Sequence, residues 1–200
     1  MVGTAQTAAA RPDILTISGL EIGVNSDGCG VDDLSFCGAV TATVPAEVVW
    51  DDFVAAAVAQ QWVGVEALSG LPGTVGDVVA QGSTAYGQRV EDVVASVRTW
   101  DEVTDHQKTF PAVDCEFRCG GSRFSDTDRY RILDVTFLMR QGDVTRPLRD
   151  PGLLALLRAE RGARVPLRQV REALLAGSVG VLDEAEQVPV RVDESADPQA

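Results

Sequence analysis

The chain has 200 residues, net charge −13, 45% hydrophobic and 24% charged residues, which suits one soluble globular domain with short appendages. The acidic balance argues against nucleic acid and against an anionic membrane surface, both of which attract basic patches. No apolar run reaches the roughly 20 residues that span a bilayer, and the N-terminus lacks an apolar leader core, so a cytoplasmic location is expected.

In chain order, residues 1–13 read as a disordered lead. Residues 14–24 and 38–44 are rich in β-branched side chains and read as strands, with a turn-rich segment over 25–33. Residues 45–61 read as a helix, because Trp50, Phe53, Val54, Ala57 and Val58 share one face. A glycine-rich stretch follows at 66–90. Residues 90–100 read as a strand, 107–128 as irregular, and the alternating 131–140 as a strand. Segments 150–161 and 166–176 read as short amphipathic helices. Residues 183–200 are acidic, lose periodicity, and read as a disordered tail. Strands and helices mix without a βαβ rhythm, so the expected class is α+β, one domain over 14–182.

The four cysteines, Cys29, Cys37, Cys115 and Cys119, are expected as reduced thiols. Cys115 and Cys119 are spaced unlike a zinc knuckle, and His106 is the only histidine, so no metal site is expected. Cys119 has no histidine near it in sequence to activate it as a nucleophile. Trp50, Trp62 and Trp100 are expected in the core, and His106 in an exposed loop.

The glycine-rich stretch contains Ser69-Gly70-Leu71-Pro72-Gly73-Thr74-Val75-Gly76, then Gln81 and Ala85-Tyr86-Gly87-Gln88. Glycines allow close backbone approach to a ligand, so the loop is a candidate cradle for a phosphate or carbonyl. This pattern resembles the flavin-binding core of the UDP-N-acetylenolpyruvoylglucosamine reductase (MurB) family. There the stretch runs approximately S-G-I-P-G-T-V-G and then Q-N-x-G-A-Y-G. The resemblance extends to residues 47–54, 128–137 and 165–173, and implies the middle domain of MurB-type, vanillyl-alcohol-oxidase-like flavoproteins, a mixed or antiparallel sheet with flanking helices.

The resemblance also defines departures. The family's first domain holds the flavin diphosphate on a glycine-rich loop, and its third domain carries a proton-donating serine; neither is expected within 14–183. The family motif C-x-F-x-Y-R-x-S-x-F-K supplies an arginine near the reacting centre. Here Cys115, Phe117, Ser122 and Phe124 persist, but the tyrosine is Cys119, the arginine Gly120 and the lysine Ser125. Arg118 and Arg123 are the nearby substitutes. Gly82-Ser83-Thr84 replaces the family's Asn-x-Gly.

These departures lead to an expectation of a repurposed cyclase or isomerase, pericyclic chemistry included, that binds an apolar small molecule without a cofactor. Tyr86, Gln81 and Ser122 are its expected polar contacts. Ser69, Gly70, Gly73, Thr74 and Gly76 are then a vestigial cofactor loop. Gln88 is a candidate orienting group and Arg89 a candidate anion contact. The alternatives are an FAD-dependent reductase completed by a partner, and a non-catalytic scaffold. Loss of flanking domains leads to an expected homodimer under all three.

Overall fold

Residues 14–24, expected as one strand, fold as a hairpin. In the computed structural model, which describes residues 13–25, 39–118 and 120–185, β1 (Asp13–Ile17) pairs antiparallel with β2 (Leu20–Asn25). Ser18 and Gly19 both take positive φ, 51° and 82°, between Ile17 and Leu20. Two such residues make the turn that matches strand twist, and Ser-Gly supplies them in only two positions. The segment 26–38 and the expected lead and far tail lie outside the described residues, as do Cys29, Cys37 and Cys119.

β3 (Ala39–Pro45), β4 (Trp62–Val63), β7 (Val94–Asp101), β8 (His106–Pro111) and β9 (Tyr130–Gln141) join the hairpin in one antiparallel sheet. Its order is β1-β2-β3-β9-β7-β8, with β4 pairing the end of β9. β5 (Thr84–Ala85) and β6 (Gln88–Arg89) form a separate small hairpin. The α+β expectation holds. β8 begins at His106, expected in a loop, and runs into the stretch 107–128 expected as irregular. Its HQKTFP sequence lacks alternation, and only Phe110 is buried, as befits an edge strand carrying polar side chains.

The register puts Val40, Ala42 and Val44 of β3 opposite Met139, Phe137 and Val135 of β9, all buried. α1 (Trp50–Ala59) lays Trp50, Phe53, Val54, Ala57 and Val58 on that face, at the spacing of one helix stripe. Phe53 stacks on Phe137 at 4.8 Å, and Trp50 meets Phe53 edge-on at 5.5 Å. α1 starts at Trp50 rather than at 45, because Pro45 still belongs to β3 and the Ala46 amide bonds to Leu133 O. α2 (Val75–Ala80) follows the glycine loop.

α3 (Pro151–Leu157) is capped by Asp150, whose Oδ1 accepts the Leu153 amide at 2.9 Å. α4 is one helix, Leu167–Ala185, and enters the region expected as tail. The two glycines at 177 and 180 blur its periodicity without ending it. Among the described residues, no helix is long and apolar enough to cross a membrane.

Candidate functional site

The glycine loop is strapped down by the segment 46–51, which runs into the first turn of α1. Trp50 holds both ends: its indole Nε1 donates to Leu68 O at 2.9 Å, and its amide donates to Gly73 O at 3.0 Å. Asp51 Oδ1 accepts the Gly70 amide at 2.8 Å. Beyond the loop, the Val75 and Gly76 amides donate to Val48 O and Ala46 O, both at 2.9 Å. A Cβ on Gly76 would sit 3.1 Å from the Ala46 Cβ, so a side chain there would push α2 away from the strap.

Thr74 and Asp77 close the turn as a reciprocal capping pair at the start of α2. Gly70 and Gly73 take φ of 78° and 100°, values that L side chains avoid. The loop is thus fixed by its own protein contacts. The amides of Leu71 and Gly73 alone, among those at 70, 71, 73 and 74, have no hydrogen-bond partner among the described residues.

Asp51 is also gripped by Arg171 of α4, Nη1 and Nη2 each 2.6 Å from a carboxylate oxygen. The Arg171 hydrogen bond holds the Asp51 carboxyl below its ordinary 3.8, with burial opposing and the Gly70 amide assisting. Asp101 is likewise held low, first by Arg129. A carboxyl whose folded value lies below its unfolded one adds stability that is complete above the unfolded value and lost as pH falls through the folded one. Urea midpoints are therefore expected to be level between about pH 7 and pH 5 as far as this pair is concerned, and to drop below about pH 4. A midpoint unchanged at about pH 3 would contradict these ion pairs.

Beside the strap lies an open groove of about 440 Å³. Ala46, Thr74, Gly76 and Ala80 line one side; Phe124, Tyr130 and Ile132 line the other. Phe110, Phe124 and Tyr130 meet edge to face at centroid distances of 5.0–6.4 Å, which makes this wall rigid. The charged lining residues are Glu47 and Asp77, both acidic.

The expected polar contacts do not gather in this groove. Ser122 is fully buried; its Oγ donates to Ala80 O at 2.7 Å and accepts the Phe124 amide at 3.2 Å, so it ties the 118–125 segment to the end of α2. Gln81 is exposed at the C-terminal end of α2. Tyr86, at φ 48° in the β5–β6 turn, is carried to a different cavity of about 180 Å³ and packs over the first turn of α3. The β5–β6 hairpin, with its turn at Tyr86–Gly87, carries Tyr86 at its tip.

That second cavity contains the buried Glu66, whose Oε2 accepts the Gly64 amide at 2.7 Å. Gln88 donates to Glu66 Oε1 at 2.8 Å and accepts the Ala67 amide at 2.7 Å. Gln88 is therefore a structural clasp. Arg89 pairs with Glu91, Arg118 with Asp126 and Arg123 with Glu116, while the buried Arg123 Nε has no partner among the described residues. Gly120 leaves its position without a side chain, at φ 76°. Burial pushes the Cys115 thiol up to about 11, which makes it inert. Sequence reasoning missed Asp51 as a site residue, because its partner Arg171 lies 120 positions away.

A family described as an FAD binding domain matches residues 30–108, which include the strap, the loop and α2. UDP-N-acetylenolpyruvoylglucosamine reductase of Cutibacterium acnes is 46% identical over 149 residues, 74% of this chain and 40% of that protein. The chain is a homologue of the UDP-N-acetylenolpyruvoylglucosamine reductases. The reductase of Salinispora arenicola is 39% identical over 150 residues, 74% of this chain and 41% of that protein. The chain therefore spans about two fifths of the length of these curated relatives. The solved reductase (MurB) of Thermus caldophilus matches with a TM-score of 0.48 at 14% identity, over 74% of this chain and 44% of that one.

These findings correct the cofactor expectation. The FAD binding domain match covers the loop taken as vestigial, and homology to the reductases points to FAD rather than to no cofactor. The non-redox cyclase or isomerase has no support among these relatives. The groove fits the uncharged end of such a cofactor: it has an aromatic and aliphatic wall, and glycine backbone at Gly76. It does not fit a diphosphate, because its charged lining residues are both carboxylates.

Proposed function

We propose that this chain is a flavin-binding module of an oxidoreductase of the UDP-N-acetylenolpyruvoylglucosamine reductase kind. The observation that carries the reading is the 68–76 loop, strapped into one conformation inside the FAD-binding match and bordering a groove with an aromatic wall. Thr74, Gly76 and Ala80 would meet the cofactor's ring system on one side, and Phe124 and Tyr130 on the other. FAD supplies a two-electron hydride carrier when bound. The diphosphate needs donors that the groove lacks.

Reduction of an enol ether also needs positive charge or hydrogen-bond donors where negative charge develops. Gly120 offers no side chain for this, while Arg118 pairs with the exposed Asp126 and Arg123 with the exposed Glu116, and the Arg123 Nε has no partner among the described residues. The module's own residues support cofactor binding, and the electrostatic part of a reduction comes from other groups.

The test is to saturate the purified chain with FAD and pass it through gel filtration. Flavin absorbance near ~450 nm is expected to travel with the protein, with quenched fluorescence. A colourless protein peak that leaves FAD behind would overturn the reading.

A further inference from the structure

Three parts of the chain converge on one side chain. Asp51, in the first turn of α1, accepts the Gly70 amide on Oδ1 and takes the Arg171 guanidinium across both oxygens. Trp50 fixes the loop at Leu68 and Gly73, so Gly70 is the point between them that a side chain holds from outside. Gly70 sits at φ 78°, where the main chain makes its turn.

We propose that Asp51 is the positioning residue of the 68–73 loop and that Arg171 sets its orientation, so that the conformation of the loop depends on α4. The loop's task as part of a flavin site rests on the function proposed above; the strut itself does not.

The two-pronged geometry is the reason Arg171 matters. A planar guanidinium laid across a carboxylate fixes the plane of that carboxylate, which a single contact does not. Arg171 is only 17% exposed in its side chain, so this is no freely solvated surface pair. Without it, Asp51 is an acid at a helix start with free rotation towards water. Asp52 instead accepts the Ser18 hydroxyl of the β1–β2 turn and adds only a charge interaction to Arg171.

The experiment compares the 200-residue chain with its Arg171→Leu, Arg171→Lys and Asp51→Asn variants, by hydrogen exchange, thermal unfolding and FAD titration. Arg171→Leu is expected to speed exchange in peptides covering 66–74 by about tenfold or more, while peptides from β9 keep their wild-type rates. FAD affinity is expected to fall about tenfold with it. Arg171→Lys and Asp51→Asn each keep part of the contact and are expected to fall between.

Unchanged exchange at 66–74 in Arg171→Leu overturns the strut. An increase spread evenly over the chain, in step with a lowered melting temperature, overturns it too, since that is general destabilisation. Faster loop exchange with unaltered FAD affinity overturns the link to the cofactor. If the wild-type chain takes up no FAD, the flavin reading fails by itself, and the exchange data alone decide the strut.

Discussion

Trp50→Ala is expected to remove about 5 kcal/mol of stability, enough to unfold a domain at the lower end of the usual ~5–15 kcal/mol range. Trp50 is fully buried against the stacked rings of Phe53 and Phe137, and a large aromatic cut to alanine in such a place costs about 3–5 kcal/mol in packing. The indole also satisfies Leu68 O in a buried setting, and an orphaned carbonyl adds about 1–3 kcal/mol. Trp50→Phe separates the two contributions. It keeps much of the ring volume and loses the N–H, so about 1–3 kcal/mol is expected from it. Because Leu68 opens the glycine loop, Trp50→Phe is also expected to weaken FAD binding more than its stability loss alone explains. Urea denaturation with a parallel FAD titration checks both. A Trp50→Phe protein as stable as wild type would mean that the bond to Leu68 contributes nothing.

The same residue shows what was legible in the sequence. Trp50, Phe53, Val54, Ala57 and Val58 recur at helical spacing, and all five are buried, Trp50 and Phe53 against Phe137 of β9. The alternation in 131–140 marked the central strand correctly. The hairpin at 13–25 was not legible, because its turn is two residues long and leaves an almost unbroken run of strand formers on either side. The site divided in a similar way. The loop at 69–76 was recognisable from its glycines, since positive φ and close backbone leave a mark in residue type. What holds the loop left no such mark. Asp51 and Arg171 are ordinary helix residues 120 positions apart, and only the fold brings them together. Ser122 was read as a ligand contact from its place in a motif, and its buried bonds to Ala80 and Phe124 are invisible without coordinates. The cofactor expectation failed because the substitutions around Gly120 lie outside the loop, and it is the loop that falls within the FAD binding domain match.

Gly82→Asn, which places the family's residue at this position, is expected to destabilise this chain by about 1–3 kcal/mol rather than improve its site. Asparagine tolerates the φ of 56° found there, so backbone strain is not the obstacle. The obstacle is space. A Cβ at Gly82 would lie 2.7 Å from Gly121 O and 3.3 Å from Arg118 O. Both are main-chain oxygens, and no change of rotamer moves them. They belong to a tight turn in which the Arg118 amide donates to Gly121 O at 2.9 Å and the Gly121 amide returns to Arg118 O at 3.2 Å. Gly120, at φ 76°, lies within that turn. The departures at 82 and at 120 are therefore one physical change: a glycine turn folded against a glycine, with Ser122 fastening it to Ala80. Restoring one side alone must push the turn away. Calorimetry of Gly82→Asn checks this, with Gly82→Ala as the control for Cβ alone. Both variants are expected to melt below wild type. A Gly82→Asn protein that melts at or above the wild-type temperature would show that the 118–121 turn moves aside freely, and that the two departures are independent.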